Sequence, residues 1–330
     1  MPDSHLTVAI TGPTGTFGFG LMPLLQADER IGTIVGIARR PFDASEHGWA
    51  KMTYRQGDVR DRATLEAAFQ GADIVVHLAF MITGAASRET IRQINVEGTL
   101  NAFRAALAAG ARRFVYASSV AAYGFHRDNP IGMTEDWPTR PAAHLFYAQE
   151  KAEIERLLLR EAAGAPGLEL YLLRPPIVLG PDVVGAKDIV PAALAPLVRR
   201  LGSLMGRVPV PVVTPPVPMQ FIHEDDVGRA FLLCIVGTGP PGTYNITGDG
   251  VVSGAQVLHE LGFAPIPAPA RLVRTAARGV AALPFVPPAA AWAEAFSHPA
   301  IMDAGKAKRE LSWRPHYSSL EALRATLNSR

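Results

Sequence analysis

A tyrosine and a lysine lie four positions apart in FYAQEKAE, at residues 146–153. On a helix this spacing puts Tyr147 and Lys151 on one face, one turn apart. A free tyrosine has a pKa of about 10, and a neighbouring ammonium favours the phenolate and lowers that pKa. The pair could then carry a proton as a general acid or base. The same spacing is common in helices, so taken alone it favours an ordinary amphipathic turn.

Three glycines follow the first apolar segment, in TVAITGPTGTFGFG. Gly12, Gly15 and Gly18 come directly after a predicted strand at residues 6–11 and open a predicted helix. A dinucleotide pyrophosphate must approach backbone N–H groups at a helix N-terminus, and a Cβ at the closest points would block it. The spacing is G-x-x-G-x-x-G rather than G-x-G-x-x-G, and the alternative is a tight strand–helix turn without a ligand.

The end of the second predicted strand bears on which dinucleotide binds. The sequence there is GIARRP, with Ala38, Arg39 and Arg40 where an acidic residue would bind the ribose 2′-hydroxyl of NAD. Guanidinium groups at this place suit a 2′-phosphate. We therefore expect NADP rather than NAD, unless both arginines are solvated surface residues.

Composition limits the class of protein. Hydrophobic residues make up 48% of the 330-residue chain and charged residues 19%, against a usual charged share of about 25%, so a sizeable core can form. The net charge of +2 is too small to indicate nucleic-acid binding. A single cysteine, Cys234, excludes a disulfide framework and a thiolate metal site. Without a signal-peptide pattern or an apolar run of about 20 residues, we expect a cytoplasmic protein with no membrane partner.

The order of elements predicts an α/β fold. Strands are predicted at residues 6–11, 33–38, 73–79, 113–118 and 168–174, and helices after the glycine loop and at 62–69, 87–110 and 145–163. Apolar strands joined by helices imply a parallel sheet covered on both faces. Right-handed crossovers then give a doubly wound, Rossmann-type sheet.

The composition changes from about residue 180. We expect residues 1–175 to form the dinucleotide-binding Rossmann domain and 176–330 a smaller, mainly substrate-binding region, with 221–250 returning to the sheet. The Pro/Val-rich segment 208–221 is predicted to be a loop or an edge strand. The Ala/Pro-rich segment 264–300 is predicted to be a proline-broken, partly helical cap, or else a lid or pocket wall.

With these features in place, the sequence resembles the extended short-chain dehydrogenase/reductase superfamily, the NAD-dependent epimerase/dehydratase-like proteins. The resemblance runs from about residue 6 to residue 317. Besides the glycine loop and the Tyr–Lys pair it rests on GDVRD (57–61), HLAF (77–80), NVEGT (95–99), YASSVAAYG (116–124), LLRPPIVLGP (172–181), FIHEDDVGRA (221–230), YNITGDG (244–250) and LSWRPHYS (311–318).

The resemblance implies hydride transfer between a nicotinamide cofactor and a carbinol carbon. Tyr147 would supply or take the proton on the oxygen, and Lys151 would also bind the nicotinamide ribose. Ser119 would hold the substrate oxygen, with Ser118 as the alternative. The cofactor-binding residues implied by the resemblance are Gly12, Gly15, Thr16, Phe17, Gly18, Arg39, Arg40, Asp58 at the adenine, Val59, Leu78, Ala79, Phe80, Asn95, Ala117, Tyr147, Lys151, Pro175 and Ile177.

Two other groups of polar residues have structural interpretations. His77 is expected to be a buried, hydrogen-bonded strand histidine. His223, Glu224, Asp225 and Asp226 could suggest a metal site, but we expect them to cap a helix that begins near Asp225.

Two departures from nucleotide-sugar enzymes bear on the substrate. Ile177 stands near the place of their usual asparagine, and Gln220 replaces an arginine that grips the diphosphate. Phe80, Met81 and the Pro/Val-rich segment predict an apolar pocket beside Ser119 and Tyr147. We therefore expect a mostly apolar small-molecule ketone or secondary alcohol as substrate. The alternatives are a nucleotide-sugar epimerase or dehydratase, and a non-catalytic dinucleotide-binding sensor.

The resemblance also implies a homodimer. Its contact would use the helices at 87–110 and 145–163, where small outward residues such as Ala105 and Ala109 would allow close packing.

Overall fold

The computed structural model of the protein describes residues 5–82, 86–143, 145–181, 183, 211–214, 217–267 and 298–328. Most of the cap predicted at 264–300 lies outside these residues, as do 208–210 and 215–216 of the Pro/Val-rich segment.

Seven parallel strands form the central sheet. The strands of the described chain are β1 Leu6–Thr11, β2 Ile31–Ala38, β3 Met52–Gln56, β4 Ile74–His77, β5 Arg113–Ala117, β6 Glu169–Arg174, β7 Ile177–Leu179, β8 Pro211–Thr214, β9 Pro218–Met219, β10 Phe221–His223, β11 Gly242–Asn245, β12 Val252–Ser253 and β13 Ala264–Pro267. The sheet order is β11-β6-β5-β4-β1-β2-β3, with every neighbouring pair parallel. Chain order reverses between β1 and β4, which opens a crevice at the carboxyl ends of these strands. The predicted doubly wound, Rossmann-type sheet is confirmed.

Helices cover both faces of this sheet. They are α1 Thr16–Ala27, α2 Arg62–Phe69, α3 Arg88–Arg92, α4 Gly98–Ala108, α5 Phe146–Ala163, α6 Glu224–Val236, α7 Gly254–Glu260, α8 Gly305–Glu310 and α9 Ser319–Asn328, with a π-helical segment Gln93–Glu97 between α3 and α4. Val8 and Ile10 of β1 pack in the layer that holds α1 and α6. Ala9 packs in the opposite layer, with α2, α4 and α5. This alternation follows from the two-residue period of a strand.

Strand β3 is absent from the sequence prediction. Of its residues MTYRQ only Met52 is buried, because β3 is the last strand of the sheet and pairs on one side alone. An exposed edge strand lacks the apolar run that marks the buried strands.

The helices α1 and α6 meet at two glycines. A Cβ on Gly20 would lie 2.6 Å from the Glu224 carbonyl oxygen, and one on Gly228 would lie 2.3 Å from the Gly20 carbonyl oxygen. The expected helix start is confirmed: α6 begins at Glu224, and the His223 ring accepts a hydrogen bond from the Asp225 N–H at 3.2 Å. The capping side chain is thus the histidine rather than a carboxylate.

Short strand pairs lie beyond the main sheet. Strands β7 and β10 pair in parallel, β9 pairs with β12, and β8 pairs with β13. The described part of the Pro/Val-rich segment thus forms short strands in two-stranded pairs, which agrees with the predicted edge strand. Within the described part of the chain, no helix is long and apolar enough to cross a membrane. The division near residue 175 stays a prediction.

One residue of the expected dimer face is misplaced. Ala105 is fully buried in the layer beneath α4, whereas Ala109 is partly exposed. The prediction that Ala105 points outward was therefore wrong. Ala105 instead packs in the core with Phe103, Phe114 and other apolar residues of that layer.

Candidate active site

The three glycines of the loop before α1 have different local environments. Gly12 has φ +70°, and a Cβ there would lie 2.9 Å from the Ala79 backbone. A Cβ on Gly18 would lie 2.0 Å from the carbonyl oxygen of Pro13. Gly15, at the N-cap of α1, is different, since its nearest atom would be 3.5 Å away. Contacts with the described residues therefore require glycine at positions 12 and 18 but not at position 15.

Helix α1 begins directly after Gly15, a residue without a side chain. The N–H groups at a helix N-terminus attract a phosphate. Phe17, which follows Thr16, packs instead towards α6, where its ring centroid lies 6.2 Å from that of Phe231.

Two arginines follow β2 at the carboxyl edge of the sheet. Arg39 and Arg40 are exposed. The Tyr54 hydroxyl donates hydrogen bonds to the carbonyl oxygens of Ala38, at 3.0 Å, and Arg40. These bonds fix the backbone of the turn that carries both guanidinium groups.

The GDVRD loop lies beside this turn. Asp58 pairs with Arg60 at 2.7 Å, and that pair lowers the pKa of the Asp58 carboxyl. Val59 is buried against α4, where a Cβ on Gly98 would lie 2.5 Å from Val59 Cγ2. Val59 therefore anchors the loop, while the partly exposed Asp58 is the side chain that faces outward.

The backbone after β4 is held on both sides of Phe80. The Leu78 N–H donates to the Thr11 carbonyl at 3.0 Å. The Asn95 amide accepts from the Met81 N–H at 2.7 Å and donates to the Met81 carbonyl at 2.9 Å. Asn95 is fully buried in the π-helical segment and also donates to Glu150 at 2.7 Å. Its polar atoms are thus engaged within the protein.

His77 is buried at the end of β4. Its two ring nitrogens lie 2.7 Å from Thr11 Oγ1 and 3.0 Å from Thr99 Oγ1. Burial, with the nearby Lys151 charge, lowers the pKa of His77 to about 3. The predicted buried, hydrogen-bonded histidine is confirmed, and it is neutral near pH 7.

Tyr147 lies in the first turn of α5, partly buried. Burial raises the pKa of its phenol, and a hydrogen bond with the Ser119 side chain acts in the opposite direction. The ring also meets Phe80 edge-on, with centroids 5.4 Å apart. This direction differs from the lowering of the pKa expected from the sequence, because desolvation by burial outweighs the hydrogen bond with Ser119.

Lys151 is enclosed one turn further along α5. Its side chain is 2% exposed, and Nζ donates to the Ala117 carbonyl at 2.6 Å and to the Tyr116 hydroxyl at 3.2 Å. Nζ also lies 3.8 Å from the centre of the Phe80 ring. Burial lowers the pKa of Lys151 to about 7, although the charges of Glu155 and Glu150 oppose the shift.

The two serines after β5 point to different partners. Ser118 donates to the Glu155 carboxylate, which is itself held by Arg174 at 2.5 and 2.9 Å. Ser119 begins the 3-10 turn Val120–Tyr123 and is hydrogen-bonded with Tyr147. The geometry thus agrees with the choice of Ser119, whose role in catalysis stays a prediction.

A buried polar network, absent from the sequence prediction, lies behind the serines. Arg174 donates to the Tyr123 hydroxyl at 2.6 Å, and that hydroxyl donates to Asn245 at 2.8 Å. The Glu135 carboxylate accepts from the Asn245 N–H at 2.7 Å. Glu155, the ion-pair partner of Arg174, stands four positions after Lys151, a helical spacing that could have signalled its proximity.

A partly open apolar cavity adjoins the serine turn. It is lined by Val120, Phe125, Pro176, Ile177, Val217, Pro218, Met219, Gln220, His298 and Ala300. Pro175 is buried behind it and accepts from the Val120 N–H at 2.9 Å. Phe80 and Met81 do not line this cavity and lie on the β4 side, where Phe80 contacts Tyr147, so their expected role at the substrate stays a prediction.

Gln220 is tied to the backbone at the cavity wall. Its amide donates to the Met302 carbonyl at 3.0 Å and accepts from the Met302 N–H at 2.8 Å. Both polar ends of the side chain are therefore used inside the protein.

Residues 8–247 match the model of the NAD dependent epimerase/dehydratase family. The chain belongs to this family. It is 31% identical over 180 residues to sterol demethylase protein B of Methylococcus capsulatus, and 32% identical over 197 residues to 3 beta-hydroxysteroid dehydrogenase type 7 of Homo sapiens. Each match covers 53% of this chain, and 52% and 51% of the relatives, so the aligned part spans about half of their length.

A solved structure has the same architecture. UDP-glucose 4-epimerase of Thermotoga maritima superposes with a TM-score of 0.73 at 21% identity, covering 98% of both chains. At this identity the similarity shows the fold alone, a Rossmann-type enzyme scaffold.

Proposed function

We propose that the protein transfers a hydride between a nicotinamide cofactor and a ketone or secondary alcohol of a mostly apolar small molecule. The observation that carries the proposal is the hydrogen bond between Ser119 and Tyr147, one helical turn from Lys151. This group lies next to Val120, a residue of the apolar cavity wall. A carbonyl between serine and tyrosine would have its apolar part in that cavity.

The residues at the carboxyl edge of the sheet fit a dinucleotide. Gly15, whose Cβ would meet no described atom closer than 3.5 Å, and the helix N-terminus that follows it suit its pyrophosphate. Lys151 would bond its nicotinamide ribose, and Asp58 its adenine end. When bound, the cofactor supplies or accepts the hydride.

The protein's own side chains handle the proton and the orientation of the substrate. Tyr147 would give its hydroxyl proton to the substrate oxygen in reduction and take it back in oxidation. Ser119 would hold that oxygen by a hydrogen bond. The positive charge of Lys151 stabilises the phenolate, which burial otherwise disfavours.

Two features favour an apolar substrate over a nucleotide sugar. Gln220 is bonded at both ends to Met302, so its amide is already engaged within the protein rather than aimed at a diphosphate. Ile177 contributes an alkyl group to the cavity wall. The names of the relatives, a sterol demethylase protein and a hydroxysteroid dehydrogenase, point in the same direction.

We also propose NADP as the favoured cofactor. The exposed guanidinium groups of Arg39 and Arg40 follow β2, where a 2′-phosphate would lie. Replacing both by alanine should weaken NADPH binding by about tenfold or more, because charge-assisted hydrogen bonds are lost. NADH affinity should change little, and equal losses for both dinucleotides would contradict the preference.

We further propose a homodimer built on α4 and α5. Leu107 and Leu159 on these helices are 37% and 49% exposed, and such a contact would cover both. Size-exclusion chromatography with light scattering measures the mass directly, and Leu159→Glu should shift a dimer towards the monomer.

The enzymatic proposal is tested by following NADPH absorbance with a panel of ketosteroids, other apolar ketones and UDP-glucose. Net oxidation of NADPH is expected when an apolar ketone is present. Tyr147→Phe should reduce kcat by a factor of about 10²–10⁴. Tyr317→Phe, which removes a hydroxyl outside the site, is the matched control. UDP-glucose isomerised with retained NAD would support an epimerase, and Tyr147→Phe without effect on the protein's biological activity would support a sensor.

A further inference from the structure

Phe80 stands between Lys151 and the crevice above the sheet. Its ring centre is 3.8 Å from Nζ, and its edge-on contact with Tyr147 spans 5.4 Å between centroids. One partly buried side chain thus touches both members of the Tyr–Lys pair.

The Lys151 ammonium is surrounded by protein groups on its other sides. An ammonium has three N–H donors. Two of them are accounted for by the Ala117 carbonyl and the Tyr116 hydroxyl, and the Phe80 ring covers the amine from another side. A cation over an aromatic face is a favourable contact, most of all when water is excluded. The ring therefore holds the place that a ribose hydroxyl needs in order to bond Nζ.

The backbone around Phe80 cannot move aside easily. A Cβ on Gly12 would lie only 2.9 Å from the Ala79 backbone. The buried Asn95 bonds both the N–H and the carbonyl of Met81. Access to Lys151 Nζ must then come from rotation of the Phe80 side chain. Phenylalanine can do this about χ1 without disturbing these bonds.

We propose that Phe80 is an aromatic cover over Lys151 that has to rotate away before a dinucleotide ribose can bond the ammonium. Phe80 is thus a positioning residue that sets the affinity and association rate of the cofactor. The inference rests on the proposed function, because it assumes that Lys151 receives the ribose.

The first test measures the cover itself, without cofactor. Trinitrobenzenesulfonate labels exposed amines, and peptide mass spectrometry gives the rate at Lys151 relative to Lys308, whose side chain is 27% exposed. Phe80→Ala should raise the relative rate by about tenfold, the order expected when a cation–π contact and its steric cover are removed. Phe80→Leu, which keeps bulk without the aromatic face, should give a smaller increase. An unchanged rate at Lys151 in Phe80→Ala overturns the inference.

The second test measures dinucleotide binding by calorimetry and stopped-flow fluorescence. Phe80→Ala should bind NADPH about tenfold more tightly and faster than the natural protein. Phe146→Leu, a phenylalanine truncation next to the site in sequence, is the matched control and should leave both constants unchanged. Unchanged or weaker binding by Phe80→Ala overturns the inference and leaves the proposed function intact. If neither the natural protein nor any variant binds NADPH or NADH, the proposed function fails, and this inference fails with it.

Discussion

Replacing the glycines of the dinucleotide loop one at a time separates the needs of the fold from those of the ligand. At Gly12, alanine would have to adopt φ +70°, which costs about 1–2 kcal/mol for a residue with a Cβ. The new methyl would also lie 2.9 Å from two backbone atoms of Ala79. We expect Gly12→Ala to lower the free energy of unfolding by about 2–4 kcal/mol, the range of overpacking and backbone strain together.

Gly15→Ala should behave in the opposite way. Gly15 has φ −98° and ψ 176°, an extended conformation open to any residue, and its Cβ would meet nothing closer than 3.5 Å. The free energy of unfolding should then fall by no more than about 1 kcal/mol, because alanine is a poorer N-cap than glycine but also restricts the unfolded chain. NADPH affinity should fall by about 10- to 100-fold, because the methyl holds the pyrophosphate away from the helix N–H groups and charge-assisted hydrogen bonds are lost.

Urea denaturation gives the free energy of unfolding of each variant, and isothermal titration calorimetry gives its affinity for NADPH. Gly71→Ala is the control for the conformational term alone, since Gly71 has φ +77° with no atom within 4 Å of its Cβ position. The reasoning is refuted if Gly15→Ala binds NADPH as well as the natural protein, or if it is destabilised as much as Gly12→Ala.

Two further predictions concern buried charge. Arg174→Leu should lower the free energy of unfolding by about 3–5 kcal/mol by leaving Glu155 buried without its partner, whereas Arg30→Ala at an exposed pair should cost below about 1 kcal/mol. Urea titrations of both variants measure the difference, and equal effects would contradict the assignment of a buried pair. Lys151 has a pKa lowered to about 7, so the unfolded chain binds the extra proton between about pH 7 and 10, and stability should rise with pH there by up to about 1.4 kcal/mol per unit. Lys151→Met should flatten that slope, and an identical slope in both proteins would show that Lys151 is not the titrating group.

The sequence predicts an element best where a single physical requirement decides which residue types can stand there. The buried strands, the glycine loop and the start of α6 follow from apolar runs, backbone access and helix capping, and the structure has them. Strand β3 escapes prediction because, at the sheet edge, MTYRQ buries only Met52 and so lacks an apolar run. Ala105 was placed outward because its small side chain suits both a helix contact and a core, and the structure buries it in the core.

The side-chain partners in the site are harder to predict, since they depend on direction rather than spacing. Ser118 and Ser119 are equivalent on paper, but successive residues after a strand point to opposite sides. One therefore meets the buried Glu155 and the other Tyr147. Phe80 belongs to a matched motif, yet only the three-dimensional arrangement shows its ring over Lys151.

Desolvation acts on both members of the Tyr–Lys pair in the direction of neutrality. It raises the pKa of the Tyr147 phenol and lowers that of the Lys151 amine to about 7, so the charged phenolate and the charged ammonium are both disfavoured by the same dry surroundings. A proton can leave Tyr147 at modest cost only if the ammonium is retained and its field reaches the phenol. Ribose hydroxyls in place of the Phe80 ring would accept hydrogen bonds from the Lys151 ammonium and so raise the pKa of Lys151. The acid–base pair would then become active as the dinucleotide binds, which couples the chemistry of Tyr147 to the position of a single aromatic ring.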